Sequence, residues 1–254
     1  MGVKSVNEKA VEVEGLSYRY PDGTPALRDI NMRVTAGETV GIIGPNGAGK
    51  TTLLLHLNGV LRPTAGAVRV LGREVTARNA REVRSEVGLV FENPDHQLFM
   101  PTVFEDVAFG PLNQGVGREE LGEIVGEALS KVGMEGSEQR PPHHLSLGER
   151  RRVALATVLA MKPRILVLDE PLAGLDPRGR RELMELIASL PGTKVIASHD
   201  LEMVLRLCGS VFVLDGGQIV AEGPAAQLLS DQALMEEHGL EVPASLRRTH
   251  YKTG

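Results

Sequence analysis

The run Gly44-Pro45-Asn46-Gly47-Ala48-Gly49-Lys50-Thr51 has the residue types and spacing needed to hold phosphate groups, fitting G-x-x-x-x-G-K-[ST]. Small residues let the backbone curl around an anion, so that its N–H groups and the positive end of a following helix face the charge. Lys50 would add a point charge near the β- and γ-phosphates. The Thr51 hydroxyl would offer one ligand to Mg²⁺, and Thr52 would reach a further phosphate oxygen. A second chemical pair, Asp169 and Glu170, closes the apolar run Ile165-Leu166-Val167-Leu168. Asp169 suits holding Mg²⁺, directly or through water, and Glu170 suits orienting or deprotonating the water that attacks a γ-phosphate. An isolated Asp-Glu before Pro171 would more often simply end a strand. With a phosphate loop upstream the catalytic reading outweighs that one, and a nucleotide with Mg²⁺ is the expected ligand.

Both groups need a scaffold that ends several strands at one edge. Residues 39–43 form a compact apolar run entering Gly44, and residues 50–57 read as a helix ended by Asn58 and Gly59. Strand, glycine loop and helix in that order are the context the motif requires. Val11, Val13, Leu16 and Tyr18 approximate the alternation of a half-buried strand, and a second short strand is expected at 30–34. Further buried strands are expected at 67–71, 87–91, 165–169, 194–198 and 211–214. Helices between several of them predict a mostly parallel sheet covered on both faces. Asp215, Gly216 and Gly217 read as a tight hairpin turn into an antiparallel strand. Residues 93–161 contain no convincing strand but have helix-like segments at 118–131 and 146–161, which predicts an inserted helical lobe.

Bulk composition sets limits on function. A content of 42% hydrophobic and 24% charged residues describes an ordinary globular chain. A formal net charge of -5 argues against a nucleic-acid backbone as the main partner. Cys208 is the only cysteine, so no internal disulfide forms, which suits a reducing cytoplasm. No apolar run reaches the roughly 18 residues of a membrane-spanning helix, and the polar start of the chain lacks a signal peptide's hydrophobic centre. A chain of this kind would serve a membrane by docking on it.

Leu145-Ser146-Leu147-Gly148-Glu149 precedes a long helical pattern, and local physics reads Ser146 as N-cap with Glu149 as its capping-box partner. Taken together, these segments resemble the ATP-binding-cassette ATPases, whose Leu-Ser-Gly-Gly-Gln signature lies upstream of the strand bearing the two acids. Leu147 here replaces a glycine and Glu149 a glutamine; Ser146 and Gly148 keep the positions that in this family contact the γ-phosphate bound to the opposite subunit. Ala173-Gly174-Leu175-Asp176 is similar to the family's D-loop, and Ser198-His199-Asp200 to its switch histidine, which implies a γ-phosphate sensor in His199. Tyr20 stands where the family places an aromatic that stacks on adenine, with Tyr18 as the competing candidate. The resemblance spans residues 12–223. It implies an ATP-hydrolysing α/β fold with a P-loop, RecA-like core (1–92 and 162–223), antiparallel β additions, a helical subdomain (93–161) and a partly helical, dimer-contacting tail (224–254).

The segment 90–99, followed by Asp106-Val107-Ala108-Phe109-Gly110-Pro111, is similar to the ATPases of energy-coupling-factor importers. Arg140-Pro141-Pro142-His143-His144 looks most like their cobalt and nickel branch, with vitamin import as the alternative cargo. Glu92 stands where a glutamine usually links the Mg²⁺ site to the transmembrane partner. Its carboxylate could still ligate Mg²⁺ alongside Thr51 and Asp169, but adds repulsion when the metal is absent. The implied partners are a second ATP-binding subunit in a homodimer, a transmembrane coupling protein and a separate membrane substrate-binding subunit, at the cytoplasmic face of the membrane. Against them stand a soluble cassette acting on nucleic acid or ribosomes, for which no coiled-coil insertion or second cassette is present, and a P-loop kinase. His143 and His144 read as exposed rather than metal-binding. Arg150, Arg151 and Arg152 read as a solvated helical face.

Overall fold

The computed structural model describes residues 8–247; residues 1–7 of the polar start and 248–254 of the tail lie outside the described residues. Two sheets and a helical layer share the core. β1 (Lys9–Arg19), β2 (Pro25–Thr35), β4 (Ala65–Val70) and β5 (Arg73–Glu74) form an antiparallel sheet in the order β2-β1-β4-β5. The second sheet has the order β10-β9-β3-β8-β7-β6, built from β3 (Thr39–Ile43), β6 (Val87–Val90), β7 (Ile165–Asp169), β8 (Thr193–Ala197), β9 (Ser210–Asp215) and β10 (Gln218–Pro224). Its pairs are parallel except β9 with β10. The expected strand at 67–71 exists, but as β4 of the antiparallel sheet.

The unbroken apolar runs follow from burial on both faces. Along β7, Ile165 and Val167 enter one core with the antiparallel sheet and α1 (Lys50–Leu57), whereas Leu166 and Leu168 enter a second core with the other helices. β8 and β9 divide the same way: Val195, Ala197, Phe212 and Leu214 face the first core, and Ile196, Val211 and Val213 the second. Period-two alternation thus separates two apolar environments rather than core from water. The hairpin from β9 to β10 turns on Gly216 and Gly217, both at positive φ, as the turn chemistry predicts.

The stretch after β6 holds α3 (Val103–Gln114), α4 (Leu121–Lys131) and α5 (Leu147–Leu159), which pack on one another. α3 adds a helix to those expected at 118–131 and 146–161, with Pro111 inside it, where proline normally ends the element. Its start is nonetheless well made, by a capping box of Thr102 and Glu105. α6 (Pro177–Ser189) and α7 (Leu201–Leu207) follow β7 and β8, α2 (Ala80–Glu86) leads into β6, and α8 (Ala225–Leu229) and α9 (Gln232–Glu237) follow β10. No helix among the described residues is long and apolar enough to cross a membrane.

Candidate active site

Four neighbouring strands, β3, β8, β7 and β6, run parallel and end at one edge of the sheet. β3 delivers the phosphate loop, β8 Ser198 and His199, β7 Asp169 and Glu170, and β6 leads to Glu92. Ligands of parallel sheets bind at this edge. A cleft of about 510 Å³ there is lined by Tyr20, Asn46 to Thr52, Glu92, Asp169, Glu170 and His199.

The loop lies hard against β9. A Cβ on Gly44 would stand 1.9 Å from the Leu214 carbonyl oxygen, so only glycine permits that approach. Gly49, at φ 105°, is the N-cap of α1, with no side-chain cap and no acidic residue in the first turn, so no capping side chain takes up the first-turn N–H groups. The buried Lys50 ammonium donates to the carbonyls of Gly44 (2.8 Å) and Pro45 (3.1 Å), arching over the loop. Tyr20 lies beside it, half-exposed, its hydroxyl 2.8 Å from the Thr52 hydroxyl. Tyr18 is buried and meets the Tyr20 ring edge-on at 5.1 Å, so of the two tyrosines Tyr20 alone has a ring free to receive a base.

Thr51 Oγ1 donates to Asp169 Oδ2 at 2.7 Å. Burial pushes the Asp169 carboxyl above its usual range, Thr51 opposes this, and the charges of Glu170 and Glu92 push it further up. A divalent cation would relieve that crowding. Among the described residues no group of three or more His, Cys, Asp or Glu is arranged to hold a metal. The Thr51 hydroxyl and Asp169 carboxylate, with Glu92 on the cleft wall, are oxygen donors of the kind a hard divalent cation such as Mg²⁺ would take. His143 and His144 are exposed and stack edge-on at 4.3 Å.

Glu170 is buried at φ +44°, immediately before Pro171, a backbone state costing on the order of 1–3 kcal/mol that persists only when its surroundings over-determine it. They do. Its N–H donates to the Ala197 carbonyl at 2.9 Å. Oε1 accepts the His199 N–H and Oε2 accepts the Ser198 hydroxyl, each at 2.9 Å, and His199 Nδ1 lies 2.9 Å from Oε2. The carboxylate is therefore clamped between β7 and the end of β8, with the His199 ring 64% exposed beside it. Ser198 is a site residue the sequence reading passed over; its position between the apolar run and His199 was the available signal.

The signature residues lie outside this cleft. Ser146 caps α5, its Oγ accepting the Glu149 N–H (3.3 Å) while Glu149 Oε2 accepts the Ser146 N–H (2.8 Å), the capping box the sequence predicts. That N–H and then Arg140 hold the Glu149 carboxyl down at about 2. Leu147 packs on the loop that carries Asp176: its Cδ2 is 3.0 Å from where a Cβ of Gly174 would stand. Asp176 caps α6 by accepting the Gly179 N–H at 2.7 Å. Gly148 neighbours Leu175, so signature and D-loop form one continuous patch.

The arginine run is not a solvated face. Arg151 is 7% exposed and donates to the carbonyls of Glu170 (3.1 Å) and Pro171 (3.2 Å). Arg150 bonds the Leu145 carbonyl and lies 3.4 Å from Asp95, while Arg152 bonds the Val132 carbonyl and Glu182. α5 is enclosed by the sheet and by α3 and α4, and turn carbonyls without strand partners take up its guanidinium groups.

Comparison with known proteins agrees with this architecture. The family described as ABC transporter matches residues 27–173. The energy-coupling factor transporter ATP-binding protein EcfA of Methanothermobacter thermautotrophicus is 51% identical, the match covering 92% of this chain and 76% of that protein. EcfA of Methanocaldococcus jannaschii is 50% identical over 92% of this chain and 85% of that one. Among solved structures, cbiO1 of Clostridium perfringens, described as part of the ABC transporter complex cbiONQ, superposes with a TM-score of 0.79 at 38% identity, covering 91% of this chain and 94% of cbiO1. A dimeric ATP-binding cassette in a post-hydrolysis state with ADP and Pi superposes with a TM-score of 0.77 at 26% identity, covering 85% of this chain and 98% of that one.

Proposed function

The chain belongs to the ABC transporter family and is an ATPase, and we propose that it is the motor subunit of an energy-coupling-factor importer carrying cobalt or nickel ions. One observation carries the chemistry: the Glu170 carboxylate is held by Ser198 and His199 at the wall of the cleft that contains the phosphate loop. Lys50 and the open first turn of α1 bind the triphosphate, and Tyr20 receives the adenine. Thr51, Asp169 and Glu92 would hold Mg²⁺, which when bound neutralises charge on the phosphates. Glu170 accepts the proton of the attacking water, and Ser198 and His199 keep its lone pairs directed. His199, with its ring at the cleft mouth, senses the γ-phosphate.

Lys50, Asp169 and Glu170 line the cleft, whereas Ser146 and Gly148 lie on a separate patch. This supports a homodimer in which each signature closes over the partner subunit's nucleotide. A larger groove of about 940 Å³ beside Gln97, Phe99, Asp106, Phe109 and Met161 suits a transmembrane coupling protein. Phe99 and Phe109 are exposed there and stack edge-on at 5.2 Å. Residues 93–161 would move as a helical subdomain against the core of 1–92 and 162–223, the tail 224–254 would contact the dimer partner, and a separate membrane subunit would bind cargo. The site of action is the cytoplasmic face of the membrane. The cobalt and nickel reading rests on residues 140–144, and the membership of the importer class on residues 90–111 and on similarity to EcfA.

Glu170→Gln should lower ATP hydrolysis about 10²- to 10⁴-fold while ATP stays bound in a stable dimer; full activity would exclude Glu170 as the base. Co-expression with candidate coupling and substrate-binding membrane subunits, followed by ATP-dependent uptake of Co²⁺, Ni²⁺ or a vitamin, tests the cargo. Uptake of a vitamin alone would overturn the metal reading.

A further inference from the structure

α5 carries the signature in its first turn and Arg151 in its second. Arg151 is nearly buried, and one of its terminal nitrogens bridges the successive carbonyls of Glu170 and Pro171 at 3.1 and 3.2 Å. These carbonyls flank the proline peptide that follows the left-handed Glu170. The Glu170 N–H on the Ala197 carbonyl (2.9 Å) and the Ala173 N–H on the Glu170 carbonyl (3.2 Å) also hold the turn, while Pro171 has no N–H to donate and its carbonyl is taken by Arg151. Burial pushes the Arg151 guanidinium below its usual value, and the charges of Glu92 and Glu170 push it back up. Its Nε is buried without a partner, a cost accepted at this position.

We propose that Arg151 is a positioning residue for hydrolysis, fixing the backbone of Glu170 through the two carbonyls and so tying the carboxylate that activates water to the helix bearing Ser146 and Gly148. This rests on Glu170 acting as the base. A helix moves as a rigid rod, and Arg151 lies five residues from Ser146, about 7.5 Å along the axis. Any shift of α5 when Ser146 meets a phosphate is delivered to the Glu170 turn within the same subunit. A displacement of about 1 Å at a catalytic group is enough to change rate by about 10²-fold. Arg151 is a suitable link because the planar guanidinium fixes the directions of the N–H donors on that one terminal nitrogen, whereas a lysine ammonium sits on a flexible stem and rotates freely.

The test is a double-mutant cycle on the dimeric ATPase, with Arg151→Met and Arg151→Lys each made alone and with Glu170→Gln. Arg151→Met should lower kcat about 10- to 100-fold and leave the Kd for ATP, measured with a fluorescent analogue, within about twofold. Arg151→Lys should recover part of that loss. In the Glu170→Gln background neither change should lower the residual rate further, because both act through the same carboxylate. A residual rate that falls by the same factor as in the wild type, or an unchanged kcat for both variants, would overturn the proposal. Should Arg151→Met fail to fold, the Arg151→Lys cycle decides by the same criterion. Failure of Glu170 itself shows separately, as full activity of Glu170→Gln alone.

Discussion

α1 and α5 both begin at residues suited to phosphate contact, yet their first turns are finished in opposite ways. α1 starts from Gly49 with no side-chain cap and no acid, and offers its N–H groups to the cleft. α5 starts from Ser146 with a complete capping box, a Glu149 carboxyl held at about 2 and Arg140 beside it. An uncapped terminus is an anion site by itself and is satisfied when ligand arrives. A capped terminus is satisfied already, so on the proposed mechanism it would add the Ser146 hydroxyl to a phosphate without being able to hold one alone. The comparison fits the proposed order of events, in which the loop would bind nucleotide first and the signature would act only when another surface brings phosphate to it.

Removing the charge at the open terminus should have the largest effect: Lys50→Ala is expected to weaken ATP binding about 10- to 100-fold in a fluorescent-nucleotide titration, and unchanged affinity would dissolve the contrast. Ser146→Ala should leave that affinity alone, lower thermal stability by about 1 kcal/mol through loss of the cap, and reduce hydrolysis about tenfold in the dimer. Stability loss with full hydrolysis would reduce Ser146 to its cap. Glu149→Gln keeps an acceptor for the Ser146 N–H but removes the charge. Because the folded carboxyl sits at about 2 against an ordinary 4.5, Glu149 contributes stability that is fully present above pH 4.5 and lost as pH falls toward 2. The variant should therefore show a flatter acid limb in Tm against pH, and an identical limb would count against the box. Least of all, away from both helix ends, Glu92→Gln should relax the Mg²⁺ requirement of the ATPase, since Glu92 repels Asp169 when metal is absent. Superimposable Mg²⁺ titrations would rule this out.

Much of the site was legible because its parts are local. Gly44 to Thr51 carry their own backbone geometry, and the helix expected at 50–57 is α1 residue for residue. The Ser146 and Glu149 box was readable for the same reason: both partners lie within one turn. Arg151 was misread because its acceptors lie 19 and 20 residues along the chain, in a turn whose carbonyls point at α5 only after β7 and α5 have packed. α3 was hidden by Pro111, whose cost the packing against α5 overrides.

The amino-acid sequence by itself determined the phosphate loop, the two acids and the buried strands that end in them, since each is written in residues adjacent along the chain. Only the tertiary structure decided that Ser198 and His199 would grip Glu170 and that Arg151 would anchor its backbone. It also decided that Ser146 would lie outside the cleft that Lys50 lines. Those relations depend on which strands become neighbours, and the order β3-β8-β7-β6 is set by burying two cores at once rather than by any local run.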